Sequence, residues 1–356
     1  MNYETQGVRI VIDCLRDCDW KCPGCFVERS MKKEFDAHDK IISLYEECKA
    51  RGTVEPYSLT IGPTDVFAST NKIAFFGNPK TRKMCGYVPD LAMTTTLLGE
   101  DGRYDELLEI LDDYTNKLVL VVPLNHRQMR NSKYVEVLLK RGEYIRKRTR
   151  RAVYFDPIFN ITDNKEFMDL DVDYCIKFLD RLQPNADVEF AFGFTRQTGV
   201  NNRLVAEHLQ AFARFIDSNH RQGIMFPQFS EATLKRDWKN IYLSLLWREG
   251  EWHWLSMMYA DFLINYAETT KIQFNNLDDL QNIFLQKVNS QYSLQQECNE
   301  CEFFKNCSWS LIPAFMDVLG EKNCIIPREP YVDFVRYHKS ASAIGLYAKS
   351  GEPFWD

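Results

Sequence analysis

The chain has 356 residues, of which 45% are hydrophobic and 26% charged, and its net charge is −6. That balance is ordinary for a globular protein with room for one large domain plus a small one, and it argues against a nucleic-acid partner in bulk. No apolar segment is long enough for a signal peptide or a membrane span, so a reducing, cytoplasmic location is expected, where eleven cysteines point to metal ligation or free thiols and not to disulfides.

Residues 8–12 form an apolar run that reads as a first strand. A loop with the triplet Cys18-x3-Cys22-x2-Cys25 follows it directly. Three soft ligands so close in sequence suit an iron–sulfur cluster or zinc. Zinc would need a fourth protein ligand. A cubane held by three thiolates leaves one iron open, and buried packing cysteines are the remaining reading. Cys14 stands outside the triplet and reads as packing.

Residues 39–51 read as a helix with Ile41, Ile42, Leu44 and Tyr45 on one side, closed by Gly52. Residues 57–61 read as a second strand ending at Gly62-Pro63-Thr64-Asp65, and 91–98 as a third strand. A helix over 104–111 precedes a clear apolar strand over 117–124, which runs into Asn125-His126-Arg127-Gln128-Met129-Arg130. The next helix, with Tyr134, Val137, Leu138 and Tyr144, ends in the basic run Arg146 to Arg151. Such a run is either a nucleic-acid patch or a solvated helix end that complements the helix dipole; with no aromatic interleaved, the second is favoured. Strands over 152–161 and 187–194 and helices over 172–182 and 203–219 complete an alternating pattern, which argues for parallel βα units.

Past Gly223 the pattern changes. Aromatic-rich runs over 242–247 and 252–258 flank Arg248-Glu249-Gly250-Glu251, a hairpin signal, and helices over 259–266 and 277–288 follow. Then comes Cys298-x2-Cys301-x5-Cys307-x16-Cys324, four thiols able to close around one metal centre, iron–sulfur or zinc. Cys48 and Cys175 fall on helices and read as core. Cys85 lies among basic residues that would favour its thiolate, so a reactive thiol is one reading and plain packing the other.

The first cysteine loop resembles the signature loop of radical S-adenosylmethionine (SAM) enzymes, with Asp19 where Asn is common and Gly24 where an aromatic usually stands. The resemblance implies that Cys18, Cys22 and Cys25 hold a 4Fe–4S cluster whose open iron binds SAM. It also implies reductive cleavage of SAM to a 5′-deoxyadenosyl radical, and hydrogen abstraction from a substrate carbon. The implied fold is α/β, an open (β/α)6 partial barrel over residues 1–223 with chemistry at the carboxyl ends of its strands. Gly62, Thr64 and Asp65 fill the place of the family's Gly-Gly-Glu turn, which receives the SAM amino group, and Asp65 carries a charge suited to an ammonium. Thr95 falls at the family's third-strand SAM edge, and Asn125 with Arg127 or Arg130 at its carboxylate-holding position.

The second cysteine set resembles the outer cluster of the SPASM extension, which implies a small α+β domain over 224–356 with Cys298, Cys301, Cys307 and Cys324 around one auxiliary 4Fe–4S cluster. The positions that would serve an inner SPASM cluster hold no cysteine, Leu311 among them. SPASM enzymes often modify peptides. The implied activity is thus peptide maturation, with an external electron donor such as flavodoxin or ferredoxin. Only about seven residues precede the first strand, so leader recognition is expected to fall to the barrel or to a separate leader-peptide-binding protein. The rivals are a radical SAM enzyme acting on a small metabolite or RNA, and a non-catalytic iron–sulfur electron-transfer protein.

Overall fold

The computed structural model describes residues 4–13, 18, 35–62, 64–68, 70–99, 101–161, 171–184, 188–189, 191–194, 224–225, 240–254 and 270–293. Strand β1 (Glu4–Asp13) carries Val8, Ile10, Val11 and Ile12 on both of its faces, all buried. A strand apolar on both faces belongs in the middle of a covered parallel sheet, and β1 has parallel neighbours on each side. Helix α1 (His38–Arg51) returns the chain and stops at Gly52, whose φ of 66° lets its amide reach back to the Cys48 carbonyl.

Strand β2 (Glu55–Gly62) is followed by two short helices, α2 (Thr70–Gly77) and α3 (Pro79–Cys85), which the apolar periodicity alone does not announce. The second has clear local chemistry: the Asn78 side chain accepts from the Lys80 amide at 2.9 Å, and Pro79 opens the helix. Strand β3 (Asp90–Thr94), helix α4 (Asp101–Leu111), strand β4 (Lys117–Asn125), helices α5 (His126–Met129) and α6 (Ser132–Arg148), strand β5 (Val153–Ile161) and helix α7 (Val172–Leu182) continue the alternation. Asn131 and Asp171 cap the amino ends of α6 and α7.

Two expected strands come out differently. The third is shorter than 91–98 because the Thr95 hydroxyl accepts the Leu97 amide at 3.1 Å and Leu97 takes a φ of 55°, which turns the chain out of the sheet. The sixth divides: β6 (Val188–Glu189) pairs with β8 (Ile224–Met225) in a separate ribbon, while β7 (Ala191–Phe194) joins the main sheet beside β5. Alternating apolar residues announce a strand but not its partner. The expected helices over 203–219 and 259–266 lie outside the described residues.

Strands β9 (Asn240–Arg248) and β10 (Glu251–Trp254) form the expected hairpin through Glu249 and Gly250, whose φ values of 53° and 83° suit a two-residue turn. Strand β11 (Thr270–Ile272) follows. The main sheet has the order β11-β10-β9-β1-β2-β3-β4-β5-β7. Strands β1 to β5 and β7 are all parallel and lie in chain order, so their carboxyl ends share one edge. Strand β9 runs parallel to β1 from Glu4↔Asn240 to Asp13↔Arg248, so the sheet is continuous across residue 223. Helix α8 (Leu277–Ser293) buries Leu277, Leu280 and Phe284 in the core, with the Phe284 ring 6.4 Å from Trp254 of the hairpin, and Glu47 of α1 accepts the Leu277 amide at 2.9 Å.

Candidate functional site

The carboxyl edge of the parallel strands gathers the residues of interest. β1 ends at Asp13, whose carboxylate holds the Arg248 guanidinium at 2.6 Å. This ties the start of the cysteine loop to the tip of the hairpin. Cys18 lies just beyond and is half-buried. Cys14, Cys22, Cys25, Cys298, Cys301, Cys307 and Cys324 lie outside the described residues. Gly62 ends β2 opposite Asp13 in register, and a Cβ built on it would stand 3.7 Å from the Thr94 hydroxyl.

Beyond these strand ends the chain forms a dense polar knot. One Asp65 carboxylate oxygen accepts the Phe67 amide at 2.8 Å, and the other accepts the amide and hydroxyl of Thr96 at 2.6 and 2.5 Å. The Thr95 hydroxyl adds longer contacts at 3.3 and 3.4 Å. A carboxylate has about four lone-pair sites, and here the two loops fill them. The Val66 amide reaches the Thr94 carbonyl at 2.8 Å and closes the same junction. Asp65 therefore stitches the turn after β2 to the exit of β3.

Beneath this turn lies Lys72, only 1% exposed, on α2. Its ammonium donates to the Thr64 hydroxyl at 2.6 Å and to the Asp65 backbone carbonyl. Sequence reasoning missed Lys72, because lysine is among the residues least often buried. Thr96 was missed beside Thr95. Tyr104 backs the knot: its phenol oxygen accepts the Gly99 amide at 2.7 Å and its ring meets Phe67 edge-on at 4.6 Å. Burial, then the nearby Asp65 charge, pushes the Tyr104 phenol well up.

Gly62, Thr64, Asp65 and Thr95 thus come together at the ends of β2 and β3. Asn125 is the last residue of β4, one strand further along the same edge, with its side chain outside the described residues. Arg130 lies exposed in the turn after α5. The donor set at this edge is rich in oxygen, with small side chains at the ends of β2 and β3. It fits a ligand with an amino-acid end.

No family model matches the chain, and no curated protein sequence does. Among solved structures it is similar to Streptococcus suis SuiB bound to its precursor peptide SuiA, at 12% identity and a TM-score of 0.51, covering 90% of this chain and 76% of that one. A structure of the same protein bound to S-adenosylmethionine aligns with a TM-score of 0.49 at 11% identity, over 90% and 75% of the two chains. At such identity the likeness establishes the fold: α/β, with a mostly parallel sheet of alternating strands and helices.

The side chains bear on two further readings. Cys85 is fully buried on α3 and its burial pushes the thiol far up, which favours plain packing over a reactive thiolate. Cys48 and Cys175 are also buried, each with its thiol pushed up to about 12. The basic run is bonded within the chain. Arg146 donates to the carbonyls of Leu182 and Arg181, Lys147 pairs with Glu143, Arg148 with Asp105, and Arg151 holds the Asn116 carbonyl. Among the described residues, no helix is long and apolar enough to cross a membrane.

Proposed function

We propose that this chain is a radical SAM enzyme that modifies a peptide. The observation that carries the reading is positional. The loop with the Cys18, Cys22 and Cys25 triplet leaves the carboxyl end of the first of five parallel strands laid side by side in chain order, at the edge that gathers Gly62, Thr64, Asp65 and Thr95. Strand order and edge together support an open partial barrel, and the cysteine spacing of Cys298 to Cys324 supports a SPASM-like unit within 224–356, whose first strands extend the same sheet.

In this reading the three loop thiolates hold a 4Fe–4S cluster and the β2, β3 and β4 ends hold SAM. When bound, that pair supplies a 5′-deoxyadenosyl radical that removes a hydrogen atom from an unactivated carbon. The chain's own part is placement. Gly62 keeps the strand end open for a ligand, Thr64 and Thr95 supply hydroxyls, and Asp65 holds the two loops in register. Asn125 and Arg130 serve the carboxylate end. Cys298, Cys301, Cys307 and Cys324 close around an auxiliary cluster that relays electrons or staples the C-terminal unit.

The peptide substrate rests on the SPASM-like spacing and on the fold shared with SuiB, a protein crystallised with its precursor peptide. An external flavodoxin or ferredoxin would deliver electrons, and a separate leader-binding protein is a fitting partner. The test is anaerobic reconstitution with iron and sulfide, then dithionite and SAM. Formation of 5′-deoxyadenosine by the wild type, and its loss in Cys18→Ala with the auxiliary cluster retained, is expected. Zinc in place of iron, or no 5′-deoxyadenosine from a fully loaded protein, overturns the reading.

A further inference from the structure

We infer that Lys72 is a positioning residue for the SAM-binding turn: its buried ammonium sets the Thr64–Asp65 backbone to receive the ligand. This rests on the function proposed above. The argument begins with cost. Removing an ammonium from water carries a penalty of several kcal/mol, offset only if acceptors meet it. At 1% exposure Lys72 has given up its solvent. Its acceptors include the Thr64 hydroxyl and the Asp65 carbonyl, both on the turn that leaves β2. A methionine of similar volume would fill the same space without the desolvation penalty but would leave a carbonyl and a hydroxyl without this donor, so the two costs offset and the ammonium's net gain in stability is small. Stability alone therefore gives no reason for a lysine here.

Position supplies one. The same turn is held from the other side: Asp65 through its carboxylate by Thr96 and Phe67, and its neighbour Val66 through the Thr94 carbonyl. The turn is thus clamped between a cation below and the exit of β3 beside it. With the carboxylate already engaged by loop donors, Asp65 acts on a ligand through the shape it gives the turn. Lys72 completes that shape by fixing a carbonyl and a hydroxyl in one orientation. Costly buried polar groups concentrate where a site must be preorganised.

The experiment compares wild type with Lys72→Met in SAM affinity, iron and sulfide content and melting temperature. Affinity is read by titrating SAM into the reduced, cluster-loaded protein and following the cluster's paramagnetic signal. About tenfold weaker SAM binding is expected, the size of one lost positioning interaction, with cluster content unchanged and the melting temperature little changed. A purely packing role would lower the melting temperature and leave the SAM affinity of the folded fraction alone; that outcome overturns the inference. If Lys72→Met does not fold, Lys72→Gln carries the test, since it keeps a donor of polar character but removes the ammonium charge and shortens the reach to the turn. Roughly threefold weaker binding supports the inference and an unchanged affinity overturns it. Failure of the underlying function looks different, because the wild type itself would then take up no cluster or no SAM.

Discussion

Two sets of charged groups in this molecule behave in opposite ways. At the carboxyl edge of the sheet, Asp65 and Lys72 are buried and meet their partners through the backbone and hydroxyls of two loops. On the outer helix layer, Lys80–Asp39, Lys83–Glu46 and Arg181–Glu136 pair in the open, with both side chains of each pair about half exposed or more. The first set has surrendered its water and depends wholly on geometry. The second retains water as a competing partner at every moment. Among the described residues the buried carboxylates and lysine, Asp13, Asp65 and Lys72, all lie at that edge, while the helix layer uses charge mainly for solubility.

The sharpest way to break that contrast is Asp65→Ala. It leaves the buried amide of Phe67 and the part-buried amide of Thr96 without their acceptor. Each orphaned donor costs about 1–3 kcal/mol, so a loss of about 3 kcal/mol in unfolding free energy is expected. Urea denaturation checks this. Asp65→Asn, which keeps one carbonyl oxygen, should fall between the wild type and the alanine variant. If the alanine variant matches the wild type in stability, the two loops are held by something other than this carboxylate.

How much of this was readable beforehand follows from the same contrast. The parallel strands were legible because burial on two faces writes itself as Val-Arg-Ile-Val-Ile in β1 and Leu-Val-Leu-Val-Val in β4. Helix α1 was legible through Ile41, Ile42, Leu44 and Tyr45 with Gly52 behind them. Gly62, Thr64, Asp65 and Thr95 could be placed at strand ends, and they do meet there. Their mutual bonding could not be read. Asp65 has the charge to suit a ligand ammonium, and only the folded loops show that amides and hydroxyls already occupy it. Lys72 was invisible for a related reason: nothing local distinguishes a lysine that turns inward from one that faces water. Helices α2 and α3 span eight and seven residues, too few for a hydrophobic period to emerge, although Asn78-Pro79 does carry a capping signal.

His38 stands where the two regions meet, at the start of α1, and sharpens the comparison through pH. The ring is buried, its Nε2 lies 2.7 Å from the Thr81 hydroxyl, and Phe35 meets it edge-on at 4.5 Å. Burial first, and the Lys80 charge second, lower its pKa below the ordinary 6.5; Asp39 and a backbone hydrogen bond at Phe35 oppose them. The folded chain therefore takes up this proton at a lower pH than the unfolded chain does. Stability from this residue is complete above the unfolded value and declines as pH falls through about 6.5 and below. The expected result is a melting temperature that falls on acidification, with the fall reduced in His38→Gln. A variant that falls as steeply as wild type would remove His38 from the account.

The smallest effect belongs to the outer layer. Lys83 pairs with Glu46 at 2.8 Å, and Glu46 also accepts the Tyr87 hydroxyl at 2.8 Å. The Lys83 hydrogen bond, with Tyr87 second, holds the Glu46 carboxyl below its usual value. That shift reflects the pair's geometry and not a large gain in stability. Both groups remain in water, which replaces either partner at little cost, and holding two long side chains together consumes rotamer freedom. Lys83→Ala should move the melting temperature by about 1 °C or less, and added salt should mask even that. Set beside Asp65→Ala, it contrasts one bond lost in open water with several lost at a largely buried loop junction. A large loss from Lys83→Ala would mean that the helix layer, and not the sheet edge, carries the electrostatic order of the fold.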